Sequence, residues 1–454
     1  MFTSINPATG MAGASYPALT LADTELRIAR ASSCFAAWRR SDLATRSGAL
    51  ERIARQFEES TVELAEIATR EMGKTRKSAI AEVQKCVAGF RYYAEHGPAM
   101  LAARHIAVPG GRASMHWLPI GPVLAVMPWN FPYWQVVRFM APTIMAGNVG
   151  LLKHASLTQG VADAIERMVI AAGVPAGLFQ NLAIPSSAVA PIIADSRIAA
   201  VTLTGSEEAG AKVAAAAGQA LKKVVLELGG SDPFIVLPSA DLDKAAAAAV
   251  TARIQNSGQS CICGKRMIIH ADIYDAFMER FSAGMRAVKA GDPMDDANDM
   301  GPLSSIEQRE TVLDQIDRLK AAGATMMFGG AALPGAGAYM SAGIMTGVPI
   351  DDPIAHEEIF GPVAMVFKVA DIDAAIALAN DVPFGLGSSV WTQDAAEQDR
   401  LVQEIEAGMT AINQVLASNP SVPFGGIKRS GHGRELGSYG LHEFMNLKTV
   451  TMPG

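Results

Sequence analysis

Residues 224–237 read VVLELGGSDPFIVL, and residues 255–263 read QNSGQSCIC. The first segment is an apolar run that predicts a buried strand, with the carboxylate Glu227 at its end and the pair Gly229-Gly230 after it. The second segment places the thiol of Cys261 in a loop of small and polar residues. A carboxylate can accept a proton and a thiolate can attack carbon. The two segments therefore predict a catalytic pair.

Both members of this pair also have a structural interpretation. Cysteine is often buried as a small apolar side chain, but the hydrophilic residues before Cys261 favour a reactive thiol. The charges of Lys265 and Arg266 are expected to lower the pKa of that thiol. A carboxylate at the end of an apolar strand is either functional or bonded to nearby backbone amides, here those of the following glycine pair. For Glu227 the residues alone leave both interpretations open.

Short apolar strands alternate with amphipathic helices on both sides of these segments, from residue 123 onward. This alternation predicts an α/β fold with a parallel sheet covered on both faces, and ligands at the carboxyl ends of its strands. Residues 21–102 have helical periodicity, and residues 106–118 predict a β-hairpin. Residues 447–452 predict an edge strand that pairs elsewhere, with another subunit as one candidate.

Composition excludes several classes of protein. The chain has 454 residues, of which 50% are hydrophobic and 18% charged, as expected of a globular protein with two or three domains. Its net charge of −7 is not gathered in blocks, which disfavours nucleic acid as a partner. Four cysteines are too few for a disulfide framework, and the N-terminus lacks a secretory pattern. Prolines interrupt the uncharged run between Arg112 and Arg138, which excludes a membrane helix. We therefore expect a cytoplasmic protein.

Residues 203–210, LTGSEEAG, join a predicted strand to a predicted helix. Gly205 would let a diphosphate approach the free amides of the helix N-terminus. The spacing G-x-G-x-x-G is missing, so an ordinary helix cap at Ser206 explains the segment equally well. Lys153 follows another apolar strand and either reaches ribose hydroxyls or extends to the surface. No spacing typical of metal ligands occurs in the sequence, so no metal site is predicted.

Six motifs resemble the aldehyde dehydrogenase superfamily, in that family's order and spacing and over nearly the whole chain. They are MPWNFP at 127–132, TGS at 204–206, ELGG at 227–230, GQSC at 258–261, EIFGP at 358–362 and PFGG at 423–426. Within the family, the pattern is most similar to bacterial succinate-semialdehyde dehydrogenases.

The resemblance implies a division of the chain into three parts. A Rossmann-type dinucleotide-binding domain would comprise residues 1–104 and 121–227, and an α/β catalytic domain residues 228–427. An oligomerisation β-flap would comprise residues 105–120 and 428–454. The implied assembly is a homodimer or homotetramer.

The resemblance also implies NAD(P)-dependent oxidation of an aldehyde to a carboxylic acid. Cys261 would be the nucleophile and Glu227 the general base, while the Asn130 amide and the Cys261 backbone N–H would form the oxyanion hole. The thiohemiacetal would lose hydride to nicotinamide, and water activated by Glu227 would hydrolyse the resulting thioester. The implied cofactor-binding residues are Trp129, Lys153, Ser156, Gly205, Ser206, Glu358 and Phe360.

The cofactor site departs from the family pattern at one position. Members that prefer NAD carry a glutamate three residues after the ribose-binding lysine, where this chain has Ser156. Its absence removes repulsion against a 2′-phosphate, so we expect use of both NAD and NADP. The neighbouring His154 is a further candidate for contact with that phosphate.

The substrate site departs at a second position. Arg138 matches the arginine that binds the distal carboxylate in succinate-semialdehyde enzymes. The plainer interpretation is a surface helix residue in an ion pair, but Arg138 is the only charge in an otherwise apolar run, which favours a role in the site. A second arginine of some such enzymes is replaced by Gln255. We therefore expect Arg138 to act with nearby hydroxyls or amides. The polar candidates in the loop before the PFGG motif are Ser418, Asn419 and Ser421, and Phe424 within the motif is a further predicted substrate residue. Succinate semialdehyde is the predicted substrate, and glutarate semialdehyde or another aldehyde is the alternative.

Three questions stay open at this point. A cysteine-dependent acyltransferase or hydrolase would need a histidine base, and the sequence has none near Glu227 or Cys261. A binding protein without catalysis would not need an intact nucleophile and base. Cys263 is either a packed small residue or a redox partner that forms a reversible disulfide with Cys261.

Overall fold

The computed structural model describes residues 1–453. In chain order its strands are β1 (Phe2–Ile5), β2 (Ala12–Tyr16), β3 (Arg104–Val108), β4 (Gly111–Pro119), β5 (Pro122–Met127), β6 (Val149–His154), β7 (Phe179–Asn181), β8 (Ala200–Thr204), β9 (Lys223–Glu227), β10 (Pro233–Val236), β11 (Arg266–His270), β12 (Thr325–Phe328), β13 (Gly343–Thr346), β14 (Val363–Val369), β15 (Phe384–Gly385), β16 (Gly387–Trp391), β17 (Met409–Ile412), β18 (Ile427–Lys428), β19 (Gly431–His432) and β20 (Met445–Pro453).

Its α-helices are α1 (Leu21–Trp38), α2 (Leu43–Glu59), α3 (Thr61–Met72), α4 (Arg76–Met100), α5 (Trp134–Ala146), α6 (Gln159–Ala171), α7 (Val189–Ala194), α8 (Glu207–Gln219), α9 (Leu242–Ile254), α10 (Tyr274–Ala287), α11 (Ile306–Ala321), α12 (Ile372–Asn380), α13 (Ala395–Glu404) and α14 (Gly437–Glu443).

One sheet has the strand order β19-β9-β8-β5-β6-β7, and its strands are parallel except β19. Counted along the chain from β5, the five parallel strands follow the order 3-2-1-4-5 of a doubly wound dinucleotide-binding sheet. The order reverses between β5 and β8. A ligand crevice is therefore expected at the carboxyl ends of these two strands.

A second sheet has the order β12-β13-β14-β11-β10-β16-β17, with β12 antiparallel to its neighbour and the other strands parallel. Residues 224–237 connect the first sheet to the second along the chain, and residues 255–263 follow within the second. Residues 224–227 belong to β9 of the first sheet, and the loop with Cys261 leads into β11 at the centre of the second.

A third sheet has the order β20-β4-β3. The predicted hairpin is confirmed by β3 and β4, and the predicted C-terminal edge strand is β20. Its partner is β4 of the same chain, from the Met445–Pro119 pair to the Pro453–Gly111 pair. The predicted flap segment 428–454 is divided, because residues 431–432 join the first sheet as β19. The domain boundaries themselves stay a prediction.

Burial explains why the sequence around residue 138 lacks charge. Every residue of α5 is buried, and so is every residue of β6 and β8 on either side of β5. These elements form the interior of the first sheet's core rather than a membrane segment. Within residues 1–453, no helix is both long and apolar enough to cross a membrane.

Candidate active site

Cys261 follows a strained turn at the end of α9. Two non-glycine residues in this turn, Asn256 and Ser257, have φ angles of 53° and 56°. Left-handed backbone at such residues costs on the order of 1–3 kcal/mol each, and the surroundings must hold it. The Asn256 side chain does so by donating to the carbonyls of Asn130 at 2.8 Å and Gln259 at 3.1 Å. The turn thereby fixes the direction of the loop that carries Cys261.

A fully buried lysine, Lys265, holds the same loop from the other side. Its Nζ donates to the carbonyls of Ser260 at 2.8 Å and Cys261 at 2.7 Å. It also pairs with Glu358, 3.0 Å from Oε1. The sequence suggested Lys265 only as a charge near the thiol, and its role as an anchor of the loop was missed.

Two hydrogen-bond donors predicted for an oxyanion hole lie at the same cavity. The Asn130 amide donates to the Gln259 carbonyl at 3.1 Å, which leaves its second N–H available. The backbone N–H of Cys261 makes no hydrogen bond within residues 1–453. Both residues line a cavity at the carboxyl ends of β5 and β8.

Two cavities meet at Cys261. The strand-end cavity, of about 310 Å³, lies at the carboxyl ends of β5 and β8. It is lined by Pro128, Trp129, Asn130, Gln135, Thr204, Gly205, Ser206, Leu228, Gly229, Cys261, Gln308, Thr311, Gln315, Glu358 and Phe360.

The helix-side cavity, of about 220 Å³, lies against α4 and α5. It is lined by Ser78, Ala81, Glu82, Lys85, Phe131, Trp134, Gln135, Arg138, Gln255, Ser260, Cys261, Ile262, Ala417, Ser418 and Phe424. No histidine is among the lining residues of either cavity. A cysteine hydrolase with a histidine base therefore lacks that base at this thiol.

The cavities separate the predicted site residues into groups. The predicted substrate residues Arg138, Gln255, Ser418 and Phe424 lie with Cys261 in the helix-side cavity. Most predicted cofactor residues line the strand-end cavity, where Trp129 and Phe360 pack edge to face with ring centroids 5.7 Å apart. The predicted residues that line neither cavity are Glu227, Lys153, His154, Ser156, Cys263, Asn419 and Ser421.

Glu227 is 2% exposed, and within residues 1–453 neither carboxyl oxygen has a hydrogen-bond partner. The interpretation that it bonds the amides of Gly229 and Gly230 is therefore wrong. Burial raises its pKa well above the usual range, and the neighbouring carboxyl of Glu435 raises it further. Gly425 leaves space beside it, since a Cβ there would lie 2.6 Å from Glu227 Oε1.

Arg138 is 3% exposed and forms an ion pair with Glu435, itself buried. The guanidinium also donates to Thr204 Oγ1 at 3.3 Å and lies over the Phe424 ring at 4.5 Å. The plainer interpretation of Arg138 correctly predicted an ion pair, but placed it on the surface. Glu435 was missed because 297 residues separate it from Arg138 in sequence and no motif links them.

Burial raises the pKa of the Cys261 thiol to about 12. Arg138 and then Lys265 act in the opposite direction, as expected of nearby cations, but they do not outweigh the loss of solvent. The expected lowering by Lys265 is therefore confirmed, but the net shift is upward, and Arg266 is not among the groups that shift the pKa.

The segment after β6 carries the predicted cofactor contacts outside the cavity. Lys153 is 6% exposed and does not extend to the surface, and its side chain makes no hydrogen bond or ion pair within residues 1–453. Ser156 is exposed at the start of a short 3₁₀ segment. His154 is buried and bonded to the Pro132 carbonyl at 3.0 Å, and burial lowers its pKa to about 4. A neutral buried imidazole cannot assist a 2′-phosphate, so that expectation is wrong.

The other predicted positions have simpler surroundings. Ser206 caps α8 by accepting from the Ala209 N–H at 3.3 Å and also lines the strand-end cavity, so both interpretations of that segment stay open. Asn419 and Ser421 are exposed and bonded to each other, outside the helix-side cavity. Cys261 and Cys263 are both free thiols in this structure. Within residues 1–453, no group of three or more His, Cys, Asp or Glu side chains is placed to hold a metal ion.

Comparison with known proteins gives consistent matches over the full chain. The sequence model of the aldehyde dehydrogenase family matches residues 1–450. A relative from Mycolicibacterium paratuberculosis, named succinate-semialdehyde dehydrogenase (NADP(+)), is 51% identical over 98% of this chain and 96% of its own length. The crystal structure of succinic semialdehyde dehydrogenase from Streptococcus pyogenes in complex with NADP+ has a TM-score of 0.98 and 37% identity, over 100% of both chains. PnpE in complex with nicotinamide adenine dinucleotide has a TM-score of 0.96 and 32% identity, over 99% of this chain and 94% of its own.

Proposed function

The chain belongs to the aldehyde dehydrogenase family, and we propose that it oxidises succinate semialdehyde to succinate with NADP, and with NAD as a second cofactor. Membership of the family confirms the predicted fold class and the predicted class of enzyme, an NAD(P)-dependent aldehyde dehydrogenase acting on a small aldehyde. The substrate and the cofactor preference are supported by the names of relatives that share about half of its residues.

The observation that carries the proposal is the position of Cys261 where the two cavities meet. One cavity lies at the switch point of a doubly wound sheet, where a dinucleotide binds. The other contains the cations Arg138 and Lys85, which favour an aldehyde that carries a negative charge. A thiol between an oxidant site and an anion site suits the oxidation of an ω-carboxyl aldehyde.

The residues present fit a bound dinucleotide. Lys153 is a buried cation without a protein partner, as expected of a side chain that binds ribose hydroxyls. Gly205 and Ser206 open the N-terminus of α8 to the strand-end cavity, where backbone N–H groups favour a diphosphate. Trp129 and Phe360 offer apolar surface to the rings, Glu358 would bind the second ribose, and Ser156 leaves room for a 2′-phosphate. A bound nicotinamide supplies the two-electron oxidant for the reaction.

In the proposed mechanism, the Cys261 thiolate attacks the aldehyde carbon and forms a carbon–sulfur bond. The Asn130 amide and the Cys261 backbone N–H donate to the oxygen that becomes negative. After oxidation the acyl group is a thioester on Cys261, and Glu227 takes a proton from the water that hydrolyses it. Because no hydrogen bond holds the Glu227 carboxyl, its side chain can turn toward the acyl group.

A kinetic panel tests the proposal: succinate semialdehyde, glutarate semialdehyde and butanal, each with NADP and with NAD. We expect the highest kcat/KM for succinate semialdehyde with NADP, and a measurable rate with NAD. A higher kcat/KM for butanal would contradict the substrate assignment, and a strong preference for NAD would contradict the cofactor assignment.

The predicted domains and assembly are proposed on the arrangement of the sheets. The first sheet draws mainly on residues 121–227 and the second on residues 228–427, while the third joins the hairpin to the C-terminal strand. We propose that the third sheet contributes to a homodimer or homotetramer. A cytoplasmic location stays a prediction from the sequence.

A further inference from the structure

Lys85 lies on α4 and lines the helix-side cavity with Cys261. Its Nζ donates to Ser418 Oγ at 2.7 Å and lies 4.6 Å from the centroid of the Trp134 ring. An ammonium group has three donors, so this single hydrogen bond leaves two of them for another acceptor. The ring face stabilises the cation without neutralising its charge.

The hydroxyl group of Ser418 can act toward a ligand only as a hydrogen-bond donor. It accepts from Lys85 Nζ and also from Trp134 Nε1, at 2.9 Å. Ammonium and indole groups only donate, so both lone pairs of the hydroxyl oxygen are in use. Its hydrogen must therefore donate to a third group. Lys85 and Ser418 together offer a charged and a neutral donor, side by side, at one cavity.

The charges around this cavity are paired, except that of Lys85. Lys74 forms a buried ion pair with Glu82, whose other oxygen accepts from two backbone N–H groups at the start of α5, at 2.8 and 2.9 Å. Arg138 is paired with Glu435. Lys85 makes no ion pair within residues 1–453, and burial, followed by repulsion from Arg138, lowers its pKa to about 8. A partly buried cation without an anion is costly unless a ligand supplies the anion.

We propose that Lys85 and Ser418, rather than Arg138, bind the distal carboxylate of the aldehyde substrate. The inference rests on the proposed function, in which the substrate is an ω-carboxyl aldehyde. Arg138 is then a positioning residue that keeps Glu435 paired beneath Phe424 and beside Glu227.

The test compares succinate semialdehyde with butanal, which has the same chain length and a methyl group in place of the carboxylate. In Lys85→Met we expect the ratio of their kcat/KM values to fall about 10- to 100-fold, through a higher KM for succinate semialdehyde, because a charge-assisted hydrogen bond is lost. Lys85→Arg keeps the charge and is expected to keep most of the preference. Lys77→Met is the matched control, since Lys77 is exposed on the same helix and outside this cavity.

The outcomes separate this inference from the proposed function. A wild-type enzyme that does not prefer succinate semialdehyde overturns both. If Lys85→Met keeps the wild-type preference within about twofold, the Lys85 assignment alone is overturned. Arg138 would then be the residue that binds the carboxylate. An equal loss of preference in Lys77→Met, or in Lys85→Arg, overturns it as well, because the effect would not depend on a charge at this place.

Discussion

Burial favours the neutral form of both reacting groups. Burial raises the pKa of Cys261 to about 12 and that of Glu227 well above the usual range. Each must lose a proton before it can act, the thiol as nucleophile and the carboxyl as base. The rate is therefore expected to depend on pH.

Glu227→Gln is expected to separate the two halves of the reaction. Cys261 would still be acylated, so a rapid first turnover should remain, whereas hydrolysis should slow about 10²- to 10⁴-fold without its base. Stopped-flow absorbance of reduced nicotinamide measures both phases. In the wild type the steady-state rate should rise with pH above the ordinary carboxyl range, as Glu227 deprotonates, and this rise should vanish in the variant. A steady-state rate equal to that of the wild type would exclude Glu227 as the base.

The same substitution has a consequence for stability that does not depend on activity. The folded-state pKa of Glu227 is raised, so the folded protein keeps a proton that the unfolded chain releases above about pH 4.5. The free energy of unfolding therefore falls as pH rises from about 4.5 toward the raised pKa, and glutamine removes this loss. The Tm of Glu227→Gln minus that of the wild type should grow as the pH rises above about 5, measured by calorimetry. A constant difference would show that Glu227 is not protonated in the folded enzyme.

The site residues that sequence alone predicts are those whose contacts are local in the chain. Asn130, Cys261 and the residues around them follow the ends of apolar strands or lie in motifs, so sequence alone places them. Lys85 reads as one more charge on an amphipathic helix, because its partner Ser418 is 333 residues away. Arg138 was recognised, but its pairing with Glu435 is a tertiary contact that changes its role.

At the scale of elements, the strand order explains where the cofactor residues lie. The motifs at 127–132 and 204–206 lie at the ends of β5 and β8, which are neighbours in the sheet although their last residues, Met127 and Thr204, are 77 positions apart in the chain. Alternating strands and helices predicted a parallel sheet, but not which strands are adjacent. That order depends on how helices cross the sheet, which periodicity does not record.

The preference between NADP and NAD is predicted to depend on the short 3₁₀ segment after β6. Ser156 is exposed there, three residues beyond Lys153. In Ser156→Glu, kcat/KM for NADP should fall at least about tenfold, because a carboxylate would repel a 2′-phosphate, while kcat/KM for NAD should hold or improve. Ser156→Gln has nearly the same shape without charge and should change the ratio far less. If Glu and Gln lowered the NADP value equally, the residue would act through size and not through charge.

At the scale of the whole molecule, the third sheet is the basis of the prediction for the assembly. β20 pairs with β4 along its full length and leaves its other edge without a strand within residues 1–453. By register, Ile106, Ala113, Thr451 and Leu447 point to one face, since paired residues share a face and positions alternate along a strand. Ile106 is 43% exposed and Leu447 44% exposed on this face. An open edge beside exposed apolar side chains favours association.

Leu447→Lys is expected to weaken the proposed oligomer while leaving the fold intact, because a charge at an exposed position costs little in the monomer but much in an apolar interface. Sedimentation velocity over a range of protein concentrations should show a shift toward smaller species, larger still when Ile106→Lys is added. Val402→Lys is the matched control, since Val402 is 52% exposed on α13, away from this sheet. Circular dichroism would verify that all three variants keep the wild-type content of secondary structure. If Leu447→Lys and Val402→Lys sedimented alike, at the size of the wild type, the third sheet would not contribute the subunit contact.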